Sequence, residues 1–378
     1  MEKINVFDKT KNFYKVGCNF DLELIDKIAE LNEKYKDKAR VVEFFGSDAT
    51  HEELTARPGW RLPDISKEYF EEYIKKAKEK GILFNYTMNS IQPYGSKNEL
   101  LAHKKEVQEF VKWLENIGVY RITIANPIMA LIIREVSNIE LEMSCIGHVD
   151  TVTQLRFYHE ELGINKFCVS ILKNRNKKWL KNAAKYANEN NIILELLANE
   201  FCSVAGIGKN GSPYATHCAF RDSCYLCHAM NRTKEDSMSY NNYPMNYCMS
   251  ARNSTPEAWL RTRWIRPEDL HYYNEIGINY FKVSGRTGTT EYLIRIIEAY
   301  MSENFDANLL ELWKPLETIY NGVKESSHKH TVNIPNKKLD KFLDKWFIGE
   351  GWECADELCG TTCTYCEEFA KSHNLYEN

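Results

Sequence analysis

Eight apolar, β-rich runs recur along the chain, with amphipathic segments between them. They are Lys15–Phe20, Arg40–Ser47, Gly81–Ser90, Tyr120–Asn126, Glu140–His148, Lys166–Leu172, Asn191–Asn199 and Asn279–Ser284. The intervening segments place apolar residues three and four positions apart: Phe70, Tyr73, Ile74 and Ala77; Val107, Phe110, Val111 and Leu114; Leu293, Ile296, Ile297 and Tyr300. That spacing predicts helices with one buried face. Ser66 and Thr289–Thr290 stand where N-caps belong. Gly81, Gly118, Gly163 and Gly277 stand where helices should stop, each just before a strand. Eight strands alternating with helices predict a parallel, TIM-like β/α barrel, with an open doubly wound sheet as the alternative. Barrels of this kind take about 250 residues. The chain has 378, so it must carry additions.

The additions fall in two places. A connection of about 80 residues, 200–278, separates the seventh and eighth runs and is too long for a plain loop. A C-terminal extension, 304–378, follows the last helical pattern. The expected organisation is a barrel over 1–303, including the 200–278 insertion, then the extension.

Both additions are rich in cysteine. Of the 12 cysteines, Cys202, Cys218, Cys224, Cys227 and Cys248 lie in the insertion, and Cys354, Cys359, Cys363 and Cys366 in the extension. The N-terminus MEKINVFDKT is charged and has no signal-peptide core. The longest aliphatic run, Ile128–Ile133, is too short to span a bilayer. These features predict a cytoplasmic protein without a membrane partner, in which clustered cysteines are metal ligands rather than disulfides. Four of the five central thiols could hold a 4Fe–4S cluster, and zinc would accept the same donors. Cys224-x2-Cys227 alone does not separate the two metals. The C-terminal group packs four cysteines into thirteen residues, a strong metal-binding pattern; a second iron–sulfur cluster and a structural zinc both remain open. The isolated Cys18, Cys145 and Cys168 lie in candidate strands and are expected to pack as small hydrophobes.

In a barrel, chemistry sits at the C-terminal strand ends. Glu43, Asn89 and Glu200 are candidates there to orient an acceptor or move protons. Lys282, Arg286, Arg57 and Arg175 are candidates to hold a carboxylate. Net charge is −4, which gives no general attraction to nucleic acid. A local stretch, Arg252 to Arg266, interleaves four arginines with Trp259 and Trp264 and permits RNA contact. A small molecule or peptide fits the acidic balance better.

The segment WIRPEDLHYYNEIGINYFKVSGRTGTTEYLIRIIEAY resembles the late signature of the collagenase-like peptidases, family U thirty-two. Asp269 and Leu270 match the pair that opens a helix, and Lys282, Gly285 and Arg286 match the strand end. The likeness extends over roughly 14–303. Some members of that family are described as collagenases. Others resemble iron–sulfur hydroxylases that work without dioxygen, with prephenate as the implied oxygen donor. The resemblance therefore implies a 4Fe–4S cluster on central cysteines, with Cys202, Cys218, Cys224 and Cys248 as the favoured set and Cys227 as the substitute. It makes Lys282 a catalytic candidate beside Glu43, Asn89 and Glu200. A peptidase is the alternative, although no GxSxG or HExxH motif is present. A metal-stabilised partner subunit, in a homo- or hetero-oligomer, is the third reading.

Overall fold

The computed structural model describes residues 5–57, 59–200, 255–313, 332–349, 354 and 362–376, apart from the Trp60 side chain, and the backbone of 205–207, 213–215, 318–320 and 323–325. Eight parallel strands close into a barrel: β1 Asn12–Gly17, β2 Ala39–Gly46, β3 Leu83–Met88, β4 Arg121–Ile124, β5 Glu140–Met143, β6 Lys166–Cys168, β7 Ile193–Leu197 and β8 Tyr280–Val283. Each overlaps one of the eight apolar runs; β1 begins three residues before its run, Lys15–Phe20, and ends three residues before it. Closure is made by β1 against β8, with Phe13 opposite Tyr280 and Lys15 opposite Lys282. The fold is thus the expected α/β barrel, not an open sheet.

The helices follow the predicted pattern. Over α1 Leu22–Lys34, α2 Lys67–Glu79, α3 Lys97–Ala102, α4 Lys104–Ile117, α5 Pro127–Arg134, α6 Val152–Leu162 and α7 Lys177–Glu189, one face is buried against the strands. The Ser66 and Thr289 side chains accept from Tyr69 N and Tyr292 N, as N-caps do. Gly118 and Gly163 end α4 and α6 in the left-handed conformation. Tyr14, Val16, Val41 and Phe44 point outward to the helices and lie in the main core.

The barrel interior differs from the usual packing of branched apolar side chains. Its middle layer holds Lys15, Lys166 and Arg121 against Glu43, Glu142 and Glu195, all buried. A register shift between Tyr14 and Lys15 puts one extra β2 residue, Val42, opposite β1. Val42 packs on Phe13 and Tyr280 while Glu43 still joins the charged layer.

The extension is not a separate body. Leu309, Leu310, Phe342, Leu343, Trp346, Phe369 and Leu375 belong to the same apolar core as the barrel helices. Arg266 makes a bidentate pair with Asp269, at 2.8 and 2.7 Å, and also donates to Asn336 O and to Asp340. The Asp269–Leu270 motif therefore has a structural cause. Asp269 orients the arginine that fastens the extension, and Leu270 is fully buried beneath it. Arg261 and Arg263 are buried as well. The described part of the Arg252–Arg266 stretch thus lies inside the protein and offers no surface for RNA; Arg252 lies outside the described residues.

Candidate active site

The charged layer sets the floor of the site. Glu43 accepts from Arg121 at 2.8 Å, from Tyr280 at 2.9 Å and from Asn85 at 3.1 Å, and pairs with Lys166. Lys166 also meets Glu195 at 2.8 Å and Glu142 at 3.2 Å. Lys15 bridges Glu142 and Glu195. Burial alone would push the carboxyls of Glu43 and Glu142 up. For Glu43, Arg121, Lys166 and Lys15 override it; for Glu142, Lys15 and Lys166 do. Both carboxyls are held well below the usual range. Three cations thus face three carboxylates, and the layer closes on itself. Glu43 belongs to this floor and has no open face toward the mouth, since its oxygens are already engaged by four neighbours.

Lys282 is the next cation up β8. Its ammonium lies 4.2 Å from the centre of the Phe45 ring. Arg286 approaches the same ring at 5.9 Å and donates to Ser47 Oγ at 3.3 Å. Among the described residues, neither Lys282 nor Arg286 forms an ion pair with a carboxylate. Burial brings the Arg286 guanidinium down to about 10, with Cys18 and Tyr86 opposing. Gly285 explains the spacing between the two cations. Its φ is +137°, and a Cβ there would come within 3.2 Å of the Ile296 and Leu293 side chains. Arg57 is half-buried; burial lowers it, Arg286 and Arg61 add to the effect, and Glu200 opposes.

Asn89 accepts from Ala56 N at 3.2 Å and donates to Ser144 Oγ at 3.4 Å, tying the loop after β2 to the end of β5. Asn199 joins the ends of β7 and β8, accepting from Ser284 N at 2.7 Å and donating to Ser284 O at 2.9 Å. Arg57, Asn89, Glu200, Lys282 and Arg286 therefore gather around the C-terminal mouth. Arg175 does not join them. It is fully buried among Trp264, Phe342 and Trp346, 5.0 to 5.1 Å from their ring centres, and donates to Leu260 O.

Two residues at the mouth escaped the sequence reading. Cys145 and Cys168 lie at the ends of β5 and β6, and their side chains interact. Cys168 lowers the Cys145 thiol to about 7; burial opposes it, and Lys282 and Ser144 assist. Cys168 is raised in turn, first by Cys145 and then by burial. Neither cysteine carries a sequence signal of its own; strand register was needed to bring them together.

The resemblance implies metal centres. Cys202, Cys218, Cys224, Cys227 and Cys248 lie outside the described residues, and so does Cys359. Cys354, Cys363 and Cys366 are buried in the extension. Arg175 lies close enough to Cys354 and Cys366 to be influenced by their charge. Arg263, also buried, is another of its neighbours. A thiolate-ligated metal carries the negative charge that such buried cations call for, so these residues fit one.

No family model matches the chain. It is 24% identical over 357 residues to the uncharacterized protease MJ1657 of Methanocaldococcus jannaschii, with 92% of each chain covered. Among solved structures, it is similar to the U32 peptidase Mk0906, at 12% identity and a TM-score of 0.46, over 73% of this chain and 92% of that one. A GH113 beta-1,4-mannanase aligns at 10% identity and a TM-score of 0.36, over 78% of this chain and 98% of that one. Similarity to an uncharacterized protease runs along nearly the whole chain, and the Asp269–Leu270 and Lys282–Arg286 motifs through which the sequence resembles family U thirty-two sit in the structural settings described above.

Proposed function

We propose that the chain is an iron–sulfur enzyme that binds a carboxylate-bearing donor, such as prephenate, at the barrel mouth and uses it in an oxygen-independent hydroxylation. The observation that carries this reading is the pair Lys282 and Arg286. Lys282 is buried and Arg286 half-buried; they share the Phe45 ring and form no ion pair with a carboxylate among the described residues. A desolvated cation pair of this kind favours a small anion over water. The floor beneath them is already neutralised, so the anion has no competitor there. Arg57 extends the cationic rim. Asn89 and Glu200 stand where an acceptor would be oriented and a proton held. A cluster on the central cysteines, when bound, would supply redox and Lewis-acid chemistry. Cys354, Cys363 and Cys366, with Cys359, would hold a second cluster or a zinc whose charge Arg175 offsets.

The test is anaerobic purification, with iron, zinc and acid-labile sulfide quantified per chain, followed by prephenate titration. Iron and sulfide are expected, and Arg286→Ala should abolish donor binding at unchanged iron content. Zinc without sulfide overturns the redox reading. Unchanged donor affinity in the variant overturns the role of Arg286. The peptidase reading is favoured by the relative's name. It predicts peptide cleavage that survives iron removal.

A further inference from the structure

We infer that Cys145 and Cys168 form a peroxide-reactive dithiol at the barrel mouth, with Cys145 as the attacking sulfur and Cys168 as the resolving one. The pair is independent of the iron–sulfur reading, because neither residue belongs to the two cysteine groups assigned to metals.

Strand register creates the pair. Met143 of β5 lies opposite Phe167 of β6. The chain leaving β5 at Ser144 and Cys145 therefore rises beside Cys168. Neighbouring strands stand about 4.8 Å apart, inside the Cα range of about 4.4–6.8 Å that a disulfide spans. The two side chains are close enough for each to act on the other's thiol. Their exposures differ in the required sense. Cys145 is half-buried, whereas Cys168 is fully buried. A small oxidant thus meets Cys145 first.

The electrostatics agree with that order. Lys282 acts on Cys145 with its positive charge, and Ser144 adds a hydrogen bond. Glu200 opposes them. The thiolate of Cys145 is the form that reacts, and a cation beside it raises its share. Cys18 supplies an internal contrast. It is buried, and its thiol is pushed up to about 12, chiefly by burial.

The chemistry balances with hydrogen peroxide as the oxidant. The Cys145 thiolate attacks one oxygen; an S–O bond forms, the O–O bond breaks, and hydroxide leaves and is protonated to water. The Cys168 sulfur then attacks the sulfenic sulfur. An S–S bond forms, the S–O bond breaks, and the second water departs with the Cys168 proton. The thiol pair loses two electrons and peroxide gains them. Sulfenic acid at Cys145 is short-lived because its resolving partner is in place before oxidation.

The experiment uses the full chain purified anaerobically, with every cysteine followed by peptide mass spectrometry. Iodoacetamide at pH 7 should label Cys145 at least about tenfold faster than Cys18, as thiolate fraction and exposure both require. Stoichiometric hydrogen peroxide should then yield a peptide linked through Cys145 and Cys168. In Cys168→Ser, dimedone should trap Cys145 as a sulfenic acid, and Lys282→Met should slow Cys145 labelling about tenfold. Labelling of Cys145 no faster than Cys18, or peroxide leaving both residues as free thiols in folded wild-type protein, overturns the inference. Both decisive readings are made on the wild type, so a variant that fails to fold does not remove the test.

Discussion

Glu43 bears on the floor of the site through four neighbours at once. Replacing it with Gln removes the charge that Arg121 and Lys166 share and leaves two buried cations under-compensated. Removing one partner of a buried pair typically costs about 3–5 kcal/mol, and Glu43→Gln should lower the urea-unfolding free energy by that order. The acid response follows from the same contacts. Cations hold the Glu43 and Glu142 carboxyls below their ordinary value of 4.5. Their contribution is therefore complete above pH 4.5 and is lost as pH falls toward the Glu142 value of about 2. Wild-type stability should drop across that window, and the Glu43→Gln curve should drop less. In the sequence, Glu43 reads as a strand-end acid and Cys145 as a small hydrophobe. Sequence cannot give either residue's neighbours, because these are set by strand register: for Glu43 by the β1–β2 register that the extra residue Val42 shifts, for Cys145 by the β5–β6 pairing.

Elements were far more legible than side-chain partners. The apolar runs located all eight barrel strands, because a strand buried on both faces writes a local pattern. Caps at Ser66 and Thr289 and stops at Gly118 and Gly163 were readable because each depends on its nearest neighbours. The inward polarity of β1, β5, β6 and β7 was not. Lys15, Glu142, Lys166 and Glu195 each look like a solitary interruption of an apolar run, and only closure of the barrel shows that they answer one another. The turn after β8 is the element with the least tolerance. Gly285→Ala forces an L residue to φ +137° against Ile296 and Leu293. Such strain costs about 1–3 kcal/mol. We expect a lower melting temperature, together with weaker donor binding because Arg286 is displaced; calorimetry and ligand titration measure the two effects separately.

Across the whole molecule, extension and barrel share one core, so the boundary drawn near residue 304 marks a change of composition rather than of body. Arg266 and Asp269 hold that junction. Asp269→Asn should loosen 332–349 before the barrel itself. Hydrogen exchange should show faster exchange there, by about tenfold or more given the 1–3 kcal/mol tied to an unsatisfied buried donor, with little change in β3 to β5. Uniform acceleration everywhere would mean that the junction carries the barrel as well. The pairing of Phe13 with Tyr280 has another consequence, which concerns birth rather than equilibrium. A chain leaving the ribosome presents β1 early and its closing partner late, after the whole cysteine-rich insertion. Until β8 emerges, β1 and β7 are open edges, the arrangement most exposed to mispairing with another nascent chain. For this barrel the cysteine-rich insertion is thus also a delay, and conditions that fold it promptly shorten the interval in which the barrel stands open.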